Sequence, residues 1–208
     1  MTQKTLFNSF DKQLLQTLPR IVFEGRIIVV QSENEANRAV DFLMRQPILG
    51  FDTETRPTFR PGPMNQVALL QVSTHDTCFL FRLNMIGLPD SVLRLLTDTE
   101  VTKVGLSLQD DFNQLSRRRR FRPGTFIDIQ SMVRSMGIED QSLQRIYANV
   151  FGQKISKGQQ LSNWEAGTLT EPQKRYAATD AWACIQLYEE LTRLQETGFT
   201  LEVVNKEK

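Results

Sequence analysis

The sequence predicts an α/β fold, with one mixed sheet between helical layers. Three observations carry that expectation. Apolar runs of strand length come early and are joined by short polar turns. From Ser107 onward the apolar period becomes helical, and the chain ends in a long helix with a strong start signal. The 208 residues are enough for one domain with a substantial core, and 40% hydrophobic with 24% charged residues is ordinary for a globular protein.

The elements follow in order. Met1 to Leu18 carries Phe7, Phe10, Leu14, Leu15 and Leu18, a helix-like stripe, so residues 1–25 are expected to be an N-terminal helical arm docked on the domain. Arg26 to Val30 is a strand candidate. Ser32, with Glu35 three residues later, starts a helix as a capping box, and Ala36, Ala39, Val40 and Leu43 form its stripe. Pro47 ends that segment and a strand begins at Ile48. The prolines of 56–63 mark a loop. Val67 to Val72 and Cys78 to Phe81 read as further strands, which with the one before them make an antiparallel meander. Ser91 to Leu96 is helical, and Val101 to Val104 is a strand closed by Gly105. A helix starts near Ser107, Phe126 to Ile129 is strand-like, and Ser131–Met136 and Leu143–Val150 are helical. Thr170 as N-cap, Pro172 in the first turn and Gln173 at the box position open a helix expected to run to about Gln195. Gly198 stops it. The expected domain is 26–197, followed by a charged tail over 198–208.

Composition excludes several chemistries. A single histidine and two distant cysteines, Cys78 and Cys184, leave no Cys/His zinc site and no disulfide framework. His75 lies in a polar turn between two strands and reads as an exposed turn residue. The net charge of +1 calls for no polyanionic partner globally, so any nucleic-acid binding has to come from local patches. No stretch has the length and apolarity of a membrane span, and the N-terminus lacks a signal-peptide pattern, so a soluble, cytoplasmic protein is expected.

The anomaly is in the strand Ile48-Leu49-Gly50-Phe51-Asp52-Thr53-Glu54-Thr55. An apolar run delivers two acids two residues apart, hence on the same side. Side by side in a low-dielectric place they repel and lose solvation. A hard divalent cation would hold them; a solvated strand end bearing two surface acids is the competing reading. The last helix repeats the anomaly. Tyr176, Asp180, Cys184, Leu187, Leu191 and Leu194 share one face, so Asp180 sits in the middle of a core stripe. It is either paired with an arginine or bound to metal. In the helix from Ser107, Asp111 lies within the stripe of Leu108, Phe112 and Leu115, whereas Asp110 lies on a polar line.

These residues resemble a known family. Phe51-Asp52-Thr53-Glu54 is similar to the first motif of the DnaQ-like, or DEDD, exonucleases. Lys103-Val104-Gly105 followed by Asp111 is similar to the second, and Tyr176-Ala177-Ala178-Thr179-Asp180 to the third, in the tyrosine-bearing DEDDy form. Ser162-Asn163-Trp164, Leu169-Thr170 and Gln173 extend the likeness toward the Werner-type and ribonuclease D-type members, from about Arg26 to Leu194. The resemblance implies a ribonuclease-H-like fold and 3′–5′ exonucleolytic hydrolysis of nucleic acid with a free 3′ end. It implies that Asp52, Glu54, Asp111 and Asp180 hold two Mg²⁺ or Mn²⁺ ions, with Tyr176 orienting the attacking water. DNA is favoured as substrate. An RNA 3′-end trimming enzyme of ribonuclease D type, or a binding module with an idle nuclease site, is the alternative. No recruiting protein is indicated.

Other residues are weaker candidates for nucleic-acid binding. Arg117 and Arg118 open a run of four arginines that would either grip phosphates or form a solvated helix end. Trp164, with Lys154 and Lys157 nearby, would contact the strand or anchor its own loop. Phe59 and Met64 would stack on terminal bases. Asp128 reads as structural, a helix N-cap.

Overall fold

The structure is a computed structural model that describes residues 3–58 and 65–204. The strands are β1 (Thr5–Phe7), β2 (Arg26–Val30), β3 (Ile48–Thr55), β4 (Val67–Ser73), β5 (Thr77–Phe81), β6 (Thr102–Gly105), β7 (Phe126–Asp128) and β8 (Thr200–Glu202). The helices are α1 (Glu33–Leu43), α2 (Leu83–Ile86), α3 (Asp90–Thr97), α4 (Leu108–Ser116), α5 (Ile129–Ser135), α6 (Leu143–Phe151) and α7 (Glu171–Thr197). Six strands form a mixed sheet in the order β2-β5-β4-β3-β6-β7. The meander expected from the short turns is present, with β3 antiparallel to β4 and β4 antiparallel to β5. β6 joins β3 in parallel, and β7 joins β6 in parallel.

Alternation along the strands divides the core into two layers. Phe51, Val72 and Phe81 point to one face, where Ala36, Val40 and Leu43 of α1 and Leu95 of α3 cover them. The other face carries α7, whose Ala177 and Ala178 pack with Leu69 and Leu80, and whose Leu187 and Leu191 pack with Val104. α7 starts as its sequence signals require: Thr170 accepts from the backbone of Gln173, and the Gln173 side chain returns the contact to the backbone of Thr170. Gly198 closes the helix with a left-handed φ of 86°. α1 likewise begins at the Ser32–Glu35 capping box.

Gly50 brings α7 close to β3. A Cβ on Gly50 would lie 1.9 Å from the carbonyl oxygen of Ala181. Only a residue without a side chain lets the helix backbone approach the strand this closely, two residues before Asp52 and one after Asp180.

The arm is not helical. Thr5–Phe7 pairs in parallel with Thr200–Glu202, so both chain ends build a second, two-stranded sheet. Asn149 of α6 brackets the strand end, accepting from Phe7 N at 2.9 Å and donating to Phe7 O at 2.6 Å. Among the described residues of the arm, only Leu14–Gln16 coils, as one 3₁₀ turn. Phe7, Phe10, Leu15 and Leu18 pack against Ala148, while Leu14 is exposed. The start of the expected charged tail is accordingly strand β8. Among the described residues, no helix is long and apolar enough to cross a membrane.

Candidate active site

β3 and α7 bring the acids of their two anomalies together. Ligand oxygens of Asp52, Glu54 and Asp180 all lie within 4.8 Å of one another. Asp52 and Glu54 share the parity of Gly50 and so face α7. Asp180 is buried at 8% exposure on the stripe that meets them. No lysine or arginine forms an ion pair with any of the three among the described residues.

The electrostatics follow from that crowding. Burial, then the charge of Asp180, pushes the Asp52 carboxyl up to about 8. Burial, then the charges of Asp52, Asp180 and Asp111, pushes Glu54 up to about 10. Burial raises Asp180 to about 7, although the Tyr176 hydroxyl and the Lys157 ammonium both favour its charged form. A cluster of this kind is costly as charged groups and needs protons or a cation. The donor set is wholly carboxylate oxygen, which is the chemistry Mg²⁺ and Mn²⁺ prefer. The residues present fit a divalent ion.

Asp111 comes from the opposite face. Thr53 has the parity of Phe51, which packs against Phe112 of α4 with ring centroids 6.5 Å apart. The Thr53 hydroxyl donates to Asp111 Oδ1. Burial, then the charge of Asp52, holds the Asp111 carboxyl well above the usual carboxylate range. Asp110, one residue earlier, is exposed. The structure thus sets Asp111 beside the cluster, joined to its strand through Thr53 rather than as a member of the close trio.

Asp128 fixes the start of α4. Ser107 has a left-handed φ of 57° and its own side chain makes no cap. Asp128 supplies the missing acceptors from the next strand, taking Ser107 N at 3.0 Å and Leu108 N at 3.0 Å. It also accepts from Gln130 N at 2.8 Å, capping α5 as expected. One carboxylate therefore holds two helix starts, and through α4 it fixes where Asp111 stands.

Tyr176 lies one turn before Asp180. Its hydroxyl donates to that carboxylate, and burial with the neighbouring acids raises its own pKa. Trp164 packs its ring 6.0 Å from the Tyr176 ring and has no exposed surface. A strand cannot touch it from solvent, so the anchoring role replaces the binding one. Arg118 is directed inward, with Nε donating to Val67 O at 2.8 Å, and Arg119 pairs with Asp90 at 2.5 Å. Two of the four arginines of the run are thus held in structural contacts, and Arg117 is exposed. Phe59 and Met64 lie outside the described residues. His75 is exposed and contacts Glu189 at 2.7 Å, away from the acids.

The acids open into a cavity of about 290 Å³ that also reaches Gln144, Ser156, Lys157 and Gln160. Of these, only Lys157 carries a signal in the sequence, as a cation near the Asn-Trp segment. Thr53 and Gln71 carry none. Gln71 is the register partner of Asp52 on β4, fully buried, and both ends of its amide lack a protein partner.

Comparison with known proteins agrees with this geometry. The chain is 29% identical over 199 residues to the mouse bifunctional 3′–5′ exonuclease/ATP-dependent helicase WRN, covering 90% of this chain and 14% of that protein's length. The Aedes aegypti Nibbler EXO domain shares the fold with a TM-score of 0.75 at 22% identity, over 85% of this chain and 92% of that one. Escherichia coli RNase D does so with a TM-score of 0.73 at 20% identity, over 83% of this chain and 45% of that one. A family model described as 3′–5′ exonuclease matches residues 27–196. The chain belongs to the 3′–5′ exonuclease family, and its mixed sheet between helices is the fold of a DnaQ-like, ribonuclease-H-like member.

Proposed function

We propose that the protein hydrolyses phosphodiester bonds stepwise from the 3′ end of nucleic acid, with DNA as the favoured polymer. The observation that carries this is the trio Asp52, Glu54 and Asp180 within 4.8 Å, with Asp180 buried, the other two half-buried, and no cationic side chain in ion-pair contact among the described residues. Asp52, Glu54, Asp180 and Asp111 would hold two divalent ions, Mg²⁺ or Mn²⁺. Such ions stabilise the attacking and leaving oxygens of an in-line displacement and lower the pKa of bound water.

The chain's own groups do the rest. The four carboxylates must be ionised to act as ligands, so binding displaces the protons that burial now favours. Tyr176, whose hydroxyl donates to the Asp180 carboxylate, would orient the attacking water beside it. Trp164, locked behind the Tyr176 ring, restricts where that hydroxyl can go. Asp128 fixes the α4 start and with it the reach of Asp111. Lys157 at the cavity wall favours negative charge beside Asp180.

DNA is favoured by the Werner-type pattern of motifs and by the sequence likeness to the mouse exonuclease/helicase. A time course on 3′- and 5′-labelled DNA and RNA, with Mg²⁺, Mn²⁺ or EDTA, tests the reading. The expected result is metal-dependent loss of label from the 3′ end, faster on DNA. Faster loss on RNA would transfer the assignment to RNA 3′-end trimming. Binding without cleavage in either metal would leave a nucleic-acid-binding module and overturn the enzyme.

A further inference from the structure

A second, larger cavity adjoins the acid pocket. Its volume is about 680 Å³, and it shares Gln144, Ile155, Ser156 and Lys157 with the first. Lys12, Arg20, Lys154 and Lys157 line it, with no carboxylate and no aromatic ring in its lining among the described residues. None of these four cations is in an ion pair among the described residues. In a chain of net charge +1, four cations along one groove, none of them in an ion pair among the described residues, are a local arrangement rather than a consequence of overall charge.

The groove is built, not a chance approach of loose side chains. Two of its cations come from the N-terminal arm, which is pinned on both sides of them. Ahead of Lys12, Phe10 N donates to the buried Asp140 at 2.8 Å, and Arg145 donates to Phe10 O at 2.6 Å and Ser9 Oγ at 3.0 Å. At Arg20 the backbone bridges to Lys154, with Ile21 N donating to Lys154 O at 3.0 Å and Lys154 N donating to Pro19 O at 2.9 Å. Lys154 Nζ donates to Gln16 O at 2.6 Å, so the wall and the arm are tied together. Leu15, in the same lining, is buried with Phe10 and Ala148.

From this we infer that the N-terminal arm is part of the substrate site: Lys12 and Arg20, with Lys154, form a track that holds the backbone phosphates of the single strand lying 5′ of the bond being cleaved. This rests on the exonuclease reading of the adjoining acids. The chemistry of the lining sets the kind of recognition. Cations contact phosphates, which carry no sequence information. Without an aromatic platform there is no stacking in the track, so DNA and RNA strands of any sequence are held alike there. A strand too short to leave the acid pocket gains nothing from it.

The test is the double variant Lys12→Gln/Arg20→Gln, which removes two exposed charges at nearly constant length. Binding of 12-nucleotide DNA and RNA single strands is measured in EDTA across a salt series, without turnover. Hydrolysis of a dinucleotide is measured separately in Mn²⁺. The expected outcome is a salt slope smaller by about 1.4, from roughly 0.7 for each single-strand phosphate that the variant no longer neutralises. At low salt the 12-mer is bound about tenfold or more weakly, and dinucleotide hydrolysis is unchanged. An unchanged slope on both polymers would overturn the inference, as would an equal loss of dinucleotide hydrolysis. Absence of hydrolysis by the wild type would overturn the exonuclease reading instead, and is distinguishable because the slope is read without cleavage.

Discussion

The distance from Gly50 to α7 makes a quantitative prediction. A Cβ at residue 50 would meet Ala181 O at 1.9 Å and the Ala181 carbonyl carbon at 2.8 Å, both backbone atoms of a buried helix that cannot swing aside. Such contacts need about 3 Å, so in Gly50→Ala the strand and helix must part by roughly 1 Å, a displacement of the size that costs about 100-fold in rate at an active site. Asp52 and Asp180 lie on either side of the seam, and their oxygens now share a 4.8 Å cluster. Overpacking of this kind costs about 1–3 kcal/mol. In a domain of this size that lowers Tm by roughly 2–12 °C. The assay pairs a thermal melt with exonuclease turnover well below the variant's Tm. Gly167→Ala is the control, because nothing lies within 4 Å of its added Cβ. A Gly50→Ala protein with wild-type Tm and turnover would refute the close-approach argument. One that is destabilised yet fully active would refute the claim that this seam sets the site geometry.

The acids and the tyrosine beside them carry three more predictions. The metal-free fold should lose stability as pH rises. Asp52, Glu54 and Asp180 have folded-state values raised to about 8, 10 and 7, so their contribution is complete below the unfolded carboxylate range near 4 and disappears as pH climbs through 7 to 10; a melting series in EDTA checks this, and a Tm rising over that window would contradict it. Tyr176→Phe should lower the single-turnover rate by about 100-fold, a larger effect than on metal affinity, since only the hydroxyl is lost; an unchanged rate would make Tyr176 purely structural. Asp111→Ala should eliminate metal-dependent cleavage while Asp110→Ala keeps most of it, because Asp110 is exposed and Asp111 is joined to β3 through Thr53; rates showing the reverse pattern would reassign the motif.

Features with a local cause were legible in the sequence. The Ser32–Glu35 and Thr170–Gln173 boxes use groups three residues apart, and both form. The three strands of the meander are consecutive in the chain, with only a short turn between the last two, so their pairing follows from chain order. Asp52 and Asp180 stood out because acids on apolar stripes are costly. Features with a distant cause were not legible. The arm's apolar spacing suits a helix, but β1 finds a parallel partner at the far end of the chain, and no local pattern encodes that. Ser107 looks like an ordinary helix start, whereas its cap comes from Asp128 on another strand. Thr53 is invisible as a site residue until α4 is placed on its face of the sheet. Trp164 near a polar loop reads as an anchor or as a strand contact, the anchor being favoured, and its burial against Tyr176 decides for the anchor.

The most direct test of the carboxylate site is a Mn²⁺ titration of the metal-stripped protein at pH 7.5, followed by electron paramagnetic resonance of the free ion, beside the Asp52→Asn variant. The wild type should take up two ions, releasing protons as it does so, and Asp52→Asn should remain folded while losing that uptake and its hydrolysis together. A folded wild type that leaves all Mn²⁺ free, or an Asp52→Asn protein that binds and cleaves like the wild type, would contradict the assignment of these acids as the metal centre.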